Sequence, residues 1–216
     1  MPLTDKITMP DGSSIFIWHI DESETDLRTR YLELRGDKEN KATAADGYKI
    51  MRKRKQWLAS RLLSYEVIPG FQGIYYDQFG APHLTEDDRC ISYSHSYDKV
   101  AVIIHKDFEV GIDIQKRDEK LKRISSKFLN EEETARYEKS GKDLNFLHYL
   151  WSIKECIFKV HKHNLPFKDI KTTDTFDTEQ GEVHVVADRF DGPHDHVVHY
   201  HKLNGYYLAH SCFNED

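Results

Sequence analysis

The chain has 216 residues, of which 38% are hydrophobic and 31% charged, and its formal net charge is −6 at pH 7. These proportions are typical of a soluble globular protein and argue against a disordered one. The acidic balance also argues against a general nucleic-acid binder, which carries a basic excess. No stretch approaches the roughly 18 uninterrupted apolar residues of a membrane-spanning helix. Residues 1–10 lack the apolar core of a secretory signal.

The three cysteines are widely spaced and form no CxxC pair. An odd number at such spacing is typical of reduced core residues rather than of a disulfide framework or a zinc site. We therefore expect a cytoplasmic protein.

The first half of the chain predicts a strand, helices and then several strands. Residues 14–20 form a short apolar run, and the polar segment 21–31 could be helical. Apolar residues recur at helical spacing between 47 and 65, with basic residues at the polar positions. A turn at 77–80 separates two short strands, and three further β-rich stretches follow at 90–93, 100–105 and 109–114.

The second half predicts helices followed by strands. Asn130 with Glu133 three residues later indicates a capping box. A long helix is expected over 144–162, and strands over 183–187, 196–202 and 206–213, the last two joined by an Asn-Gly hairpin. The element order predicts an α+β fold made of two similar halves, 1–108 and 109–216, related by a pseudo-twofold axis. Each half would be a small antiparallel sheet with a helix packed on it.

Two segments contain the residues suited to catalysis. Asp113 lies in an apolar strand and points to the face opposite Ile112 and Ile114, as Gln115 does if the strand continues. On the long helix, Glu155 and Lys159 share one face, while Lys154 lies one position round. The helical pair alone could be only a stabilising ion pair.

Together, however, two carboxylates and neighbouring lysines suit Mg²⁺ and a polyphosphate. Mg²⁺ needs few protein oxygens and keeps several waters, and lysines neutralise the remaining phosphate charge.

Five segments, in order, resemble the 4′-phosphopantetheinyl transferases. VGID at 110–113 and WSIKECIFK at 151–159 are similar to the paired signature (V/I)G(I/V)D and (W/F)(S/T/C)xKE(A/S/C)xxK. The ISYSHS, FGAPHL and FLNEEE segments, at 91–96, 79–84 and 128–133, resemble the family's ISxSHS, GKPxL and F(S/N)xxE elements. The chain length resembles that of the fused, surfactin-synthetase-activating type, which is a monomer with two similar halves.

The resemblance implies transfer of phosphopantetheine from coenzyme A to a carrier-protein serine. It implies that Asp113, Gln115 and Glu155 hold Mg²⁺, with Mn²⁺ as an alternative, and that Glu155 and Lys159 are catalytic. Coenzyme A would be bound by Lys154 and Lys159 at its pyrophosphate, by Ser94 and His95 at its 3′-phosphate, and by Arg52. Without the resemblance, the segment 94–96 reads as a polar turn and Arg52 as part of a solvated helical face.

Two residues depart from the family pattern. Gln115 stands where many fused-type members have Glu, which removes one negative charge and predicts weaker Mg²⁺ affinity or a preference for Mn²⁺. Ala81 replaces the usual lysine of the GKP turn, and His83 is the nearby residue that could compensate. These departures leave open a second function, a catalytically degenerate module that binds coenzyme A. A metal-dependent phosphodiesterase or nuclease is disfavoured because the usual carboxylate and histidine clusters are lacking.

The expected partner is an acyl or peptidyl carrier protein with an acidic recognition helix. The basic stretch between residues 116 and 127 could steer it, or could simply be a solvated helix. Four histidines near the end, at 194, 196, 199 and 201, pair on strand faces. Because no further ligands complete a zinc site, we expect exposed strand histidines there.

Overall fold

A computed structural model describes residues 3–36, 43–162, 165–172, 176 and 179–214. Within these ranges the helices are α1 (Glu24–Arg35), α2 (Met51–Val67), α3 (Leu121–Phe128), α4 (Glu131–Lys139) and α5 (Leu144–His161). The strands are β1 (Leu3–Thr8), β2 (Ser14–His19), β3 (Ile74–Tyr76), β4 (Pro82–Leu84), β5 (Cys90–Ser96), β6 (Lys99–His105), β7 (Glu109–Lys116), β8 (Ile170–Thr172), β9 (Gln180–Arg189), β10 (Gly192–Leu203) and β11 (Tyr206–Phe213).

The first sheet has the order β1-β2-β6-β5, with every neighbouring pair antiparallel. Helix α2 packs on one face of this sheet, where Leu58 and Leu62 join Trp18, Val100 and Val102 in a buried cluster. The helix forms because its apolar residues recur at helical spacing and pack against this apolar sheet.

The second sheet has the order β7-β11-β10-β9-β8 and is also antiparallel. Helix α5 covers one face, where Ile153 and Ile157 pack with Val183, Val198 and Ala209. Asp143 caps the start of α5 by accepting a hydrogen bond from the Asn145 N–H.

The two sheets share a core on their other faces. Ile15 and Ile103 of the first sheet pack in one cluster with Ile112 and Leu208 of the second. Strands β5 and β7 also lie side by side, because the Ser94 and Ser96 hydroxyls accept hydrogen bonds of 3.0 Å from the backbone N–H groups of Ile114 and Lys116. These contacts bring the ISYSHS and VGID segments together.

The α+β class is confirmed by these antiparallel sheets and packed helices. The capping box is also confirmed, since Asn130 accepts from the Glu133 N–H and Glu133 accepts from the Asn130 N–H. The similarity of the halves and the boundary near residue 108 stay predictions.

The structure differs from the sequence expectation at several places. Strands β1 and β8 were not predicted, and Ser94–Ser96 belong to a strand rather than to a turn. Helix α3 lies in the basic stretch for which a solvated helix was one of the two interpretations. The late histidines are not all exposed, because His196 is 4% exposed. Its ring lies over α5, where its Nε2 is 2.8 Å from the Nε2 of His161. None of the described helices has both the length and the apolar content that a membrane crossing requires.

Candidate active site

A cavity of about 590 Å³ lies where the two sheets meet. Its walls come from α2, the β3–β4 hairpin and β5 on one side, and from β7 and α5 on the other. The charged and strongly polar residues among its lining are Lys53, Arg61, His95, Asp113, Gln115, Glu155, Lys159 and Lys162. Six of the residues that the sequence singled out, at 94, 95, 113, 115, 155 and 159, are therefore brought together.

Gly111 sets the close approach of β7 and α5. A Cβ at this position would overlap the backbone carbonyl oxygen of Cys156 and lie 2.8 Å from a methyl of Val160. The Cys156 thiol also donates to the Gly111 carbonyl at 3.3 Å. Glycine is required here because the helix backbone lies directly against the strand. This contact brings Asp113 to the helical face that carries Glu155 and Lys159.

Asp113 is buried, with 5% of its surface exposed. Its Oδ1 accepts hydrogen bonds from the Ser94 hydroxyl at 2.9 Å and from the Lys159 ammonium at 3.0 Å. Its Oδ2 is buried and has no hydrogen-bond partner in the described part of the chain. A buried carboxylate oxygen without a partner is costly, so this oxygen is free to accept a cation or a donor.

Lys159 is anchored to β7 at two points, Asp113 and the Ile112 carbonyl oxygen, which lies 2.7 Å from Nζ. Glu155 lies one helical turn before it. Burial and, next, the neighbouring Asp113 carboxylate together raise the pKa of Glu155 to about 7, although the Lys159 ammonium partly opposes both. The Asp113 and Glu155 carboxylates thus share one wall with Lys159.

The donor set fits a hard divalent cation. Asp113 offers an unpartnered oxygen, Glu155 a carboxylate that repels its neighbour, and Gln115 an amide in the same cavity. Mg²⁺ takes one or two protein carboxylates and completes its shell with water and phosphate oxygens. Among the described residues, no group of three or more His, Cys, Asp or Glu is arranged to hold a metal ion.

His95 faces the cavity and its side chain is exposed. The pKa of His95 is lowered, first by partial desolvation in the concave wall and then by the Lys53 and Lys159 cations. Ser94 has a different position from the one expected for a phosphate contact, because its hydroxyl is used by Asp113 and by the Ile114 N–H. Ser94 therefore holds Asp113 in place.

Lys154 does not line the cavity. Its ammonium is fully buried, forms an ion pair of 2.8 Å with Glu133, and donates to the carbonyl oxygens of Phe167 and Ile170 at 2.7 and 2.5 Å. All three donors are thus used inside the protein. Lys154 fastens α5 to α4 and to the segment before β8, and the expected pyrophosphate contact is not available to it.

Arg52 is exposed and is absent from the cavity lining. Its guanidinium lies over the Tyr97 ring, 4.5 Å from the ring centre. The next residue, Lys53, lines the cavity instead. Sequence reasoning identified the helix correctly and placed its cavity-facing cation one residue too early.

Arg61 was missed as a site residue. It lines the cavity on α2 and is 8% exposed. The sequence feature that could have indicated its burial is the presence of apolar neighbours, Leu58 and Leu62, on the same helix.

His83 does not replace the lysine that is lacking at Ala81. Its Nε2 is 3.2 Å from Asp77 Oδ2, and its ring stacks on Tyr75 with centres 5.3 Å apart. It is also absent from the cavity lining, to which Ala81 contributes only an apolar surface.

The C-terminal part of the chain is similar to a known protein superfamily. Residues 109–210 match the model of the 4′-phosphopantetheinyl transferase superfamily. The match covers just under half of the chain and includes Asp113, Gln115, Glu155 and Lys159. Over these residues the chain is therefore similar to this transferase superfamily. A search of curated proteins found no match.

Proposed function

We propose that this protein transfers the 4′-phosphopantetheine group of coenzyme A to a serine of an apo acyl or peptidyl carrier protein, releasing 3′,5′-ADP. The observation that supports this most directly is the juxtaposition of the Asp113 and Glu155 carboxylates with Lys159 in one cavity. The superfamily match over 109–210 supports the same chemistry.

The reaction is a displacement at the phosphorus that bears pantetheine. The serine oxygen forms a bond to this phosphorus, the bond to the bridging oxygen breaks, and 3′,5′-ADP leaves with that oxygen. Glu155 accepts the serine proton, since its carboxylate lies in the cavity beside Asp113 and Lys159. Lys159 lies where it can neutralise charge that develops on the pyrophosphate.

Asp113, Glu155 and Gln115 would hold Mg²⁺, with Mn²⁺ as an alternative. When bound, the ion supplies positive charge to the pyrophosphate oxygens. Ser94 positions Asp113 through its 2.9 Å hydrogen bond, and His95 and Lys53 offer further polar groups to the nucleotide.

The proposed carrier protein would dock near α3. Lys120, Lys122 and Arg123 are exposed at the start of this helix, which follows β7 and its aspartate in the chain. A basic surface on an acidic protein attracts an acidic partner locally. We place the reaction in the cytoplasm and expect a monomeric enzyme.

The test is intact mass spectrometry of an apo carrier protein after incubation with this protein, coenzyme A and Mg²⁺. We expect the carrier to gain one phosphopantetheine group and 3′,5′-ADP to be released only when carrier is present. The Glu155→Gln variant keeps the shape of the site and should lose at least a hundredfold in rate, because general base catalysis alone contributes about that much.

The matched control is Glu86→Gln, which changes an exposed carboxyl outside the cavity lining and should leave the rate unchanged. If several unrelated carriers gain no mass while coenzyme A binds measurably, the transferase proposal fails. The protein would then be a module that binds coenzyme A without catalysis.

A further inference from the structure

His148 is a buried histidine on α5 whose hydrogen bond goes to a different element. The residue is 0% exposed, and its Nε2 accepts the Asp118 backbone N–H at 3.0 Å. Because a backbone N–H can only donate, the ring is neutral and its proton lies on Nδ1. Burial lowers the pKa of His148 to about 4. The ring therefore keeps accepting this bond at neutral pH.

The ring of His148 is fixed by packing rather than by a second hydrogen bond. It stacks on the Tyr207 ring of β11, with centres 4.5 Å apart and planes 6° from parallel. Its Nδ1 is buried and has no hydrogen-bond partner among the residues that the structure describes. A buried N–H without a partner is costly, so packing alone would favour an apolar ring at this position. The bond to Asp118 is the contact that an apolar ring could not make.

This bond joins the catalytic helix to the segment that leads into α3. Asp118 lies between the end of β7 at Lys116 and the start of α3 at Leu121. His148 lies about two helical turns before Glu155 on α5. The position of the segment before α3 is therefore tied to the helix that carries Glu155.

The start of α3 has few other polar contacts that could fix its position. Lys120, at the capping position, makes no side-chain capping hydrogen bond. Leu121 and Phe128 pack in an apolar cluster, and apolar packing is not directional. A hydrogen bond to the Asp118 backbone is directional, so it fixes where the segment lies along α5.

We propose that His148 is a positioning residue that orients the carrier-docking surface relative to the active site. This inference rests on the proposed function, which places the carrier protein at the exposed basic residues Lys120, Lys122 and Arg123. With the bond made, these side chains keep one orientation relative to Glu155. Without it, only a fraction of the molecules has that orientation, and the apparent affinity for the carrier protein falls by that fraction.

The experiment measures the transfer rate against the concentration of an apo acyl carrier protein, with saturating coenzyme A and Mg²⁺. His148→Phe keeps a ring that can stack on Tyr207 but removes the acceptor. It should raise the KM for the carrier protein about tenfold, the worth of one hydrogen bond, and leave kcat and coenzyme A affinity within about twofold. His148→Gln restores a side-chain acceptor and should recover most of the lost KM.

Amide hydrogen exchange of the free protein gives a second readout that needs no carrier protein. The Asp118 N–H should exchange faster in His148→Phe than in the wild type, because it has lost its acceptor. Amides in the interior of α5 should keep their protection. Should His148→Phe fail to fold, His148→Leu also removes the acceptor, and the same changes in KM and in Asp118 exchange are expected of it.

His105→Phe is the matched control. His105 is also buried, its Nδ1 accepts the backbone N–H groups of Asp107 and Phe108, and its ring stacks on Phe108 with centres 4.5 Å apart. It lies before the start of β7, whereas Asp118 lies after its end. His105→Phe should destabilise the fold in the same way and leave the KM for the carrier protein unchanged.

Three results would overturn the inference while leaving the proposed function intact. The first is an unchanged KM in His148→Phe, and the second is an equal rise of KM in His105→Phe. The third is a loss of kcat and of coenzyme A affinity in both His148→Phe and His148→Gln, which would assign His148 a purely structural role. If the wild type modifies no carrier protein, the proposed function itself fails, and the inference with it.

Discussion

Glu155 is the residue whose charge is most affected by its surroundings. Its pKa is about 7 in the metal-free protein, against an ordinary value of 4.5, because of burial and of the nearby Asp113 carboxylate. Between these two values the folded protein retains a proton that the unfolded chain has released. The folded state binds more protons there, so its stability falls as pH rises from 4.5 to 7.

We therefore predict that Glu155→Gln stabilises the metal-free protein at pH 8 by about 3.5 kcal/mol, because the difference between 4.5 and 7 corresponds to about 1.4 kcal/mol per pKa unit. Near pH 4.5 the two proteins should have equal stability, because the glutamate is then largely protonated when folded. Urea unfolding in a chelating buffer across this pH range measures the difference. A stability difference that stays constant with pH would contradict this prediction. Added Mg²⁺ should stabilise the wild type more than the variant, because the ion binds the folded state.

The sequence predicts for some residues, but not for others, whether the side chain reaches the cavity or is buried. Asp113, Glu155 and Lys159 reach one cavity as their strand and helix periods predict. Lys154 and Arg61 do not follow expectation, because a charged side chain is normally solvated. The burial of Lys154 depends on Glu133, twenty-one positions earlier on another helix, and that pairing exists only once α4 and α5 are packed.

The contact between β7 and α5 determines whether the carboxylates meet. We predict that Gly111→Ala lowers stability by about 1–3 kcal/mol, the usual cost of forcing extra atoms into a packed core. The new methyl would push against the Cys156 carbonyl and displace the helix that carries Glu155. Transferase activity should fall by more than the folded fraction, because the site geometry changes as well.

Gly47→Ala is the matched control, since no heavy atom lies within 4 Å of a Cβ built there. Chemical denaturation and initial rates would be measured side by side for both variants. If the two alanine variants had the same stability and the same initial rate, the close approach of β7 and α5 at Gly111 would not be needed for stability or activity.

Elements with strong local signals were predictable, and weakly patterned ones were not. The Asn130 capping box and the apolar spacing of α2 and α5 predict helices that exist. In β1 the sequence LTDKIT is largely polar, and the strand forms through its antiparallel pairing with β2. Helix α3 is only eight residues long, and Leu121 and Phe128 stabilise it by packing in the cluster that includes Leu147.

At the scale of the whole molecule, both predicted halves contribute to one core and one cavity. Ile112 and Leu208 of the C-terminal half are fully buried, in a cluster that also contains Ile15 and Ile103 of the N-terminal half. The family match covers only the C-terminal part, yet Ser94, which orients Asp113, lies outside it.

We predict that neither 1–108 nor 109–216 folds alone. Separation would expose the shared apolar face of each sheet, and contiguous apolar surfaces of that kind drive aggregation. The 109–216 fragment would also lose the Ser94 hydroxyl that orients Asp113 and the α2 wall that carries Arg61. Each fragment would be expressed alone and together, and followed by size-exclusion chromatography, circular dichroism and coenzyme A binding.

Co-expression should restore a soluble complex that binds coenzyme A, because the apolar faces of the two sheets are complementary. A monomeric 109–216 fragment with cooperative unfolding would contradict the shared-core prediction and establish the boundary near residue 108 as that of an independent domain. If that fragment also bound coenzyme A with the affinity of the full chain, the α2 and β5 walls would be dispensable for binding. In that case residues 109–216 would suffice for the nucleotide site, and the first sheet would be left with a role in stability or in recognition of the carrier protein.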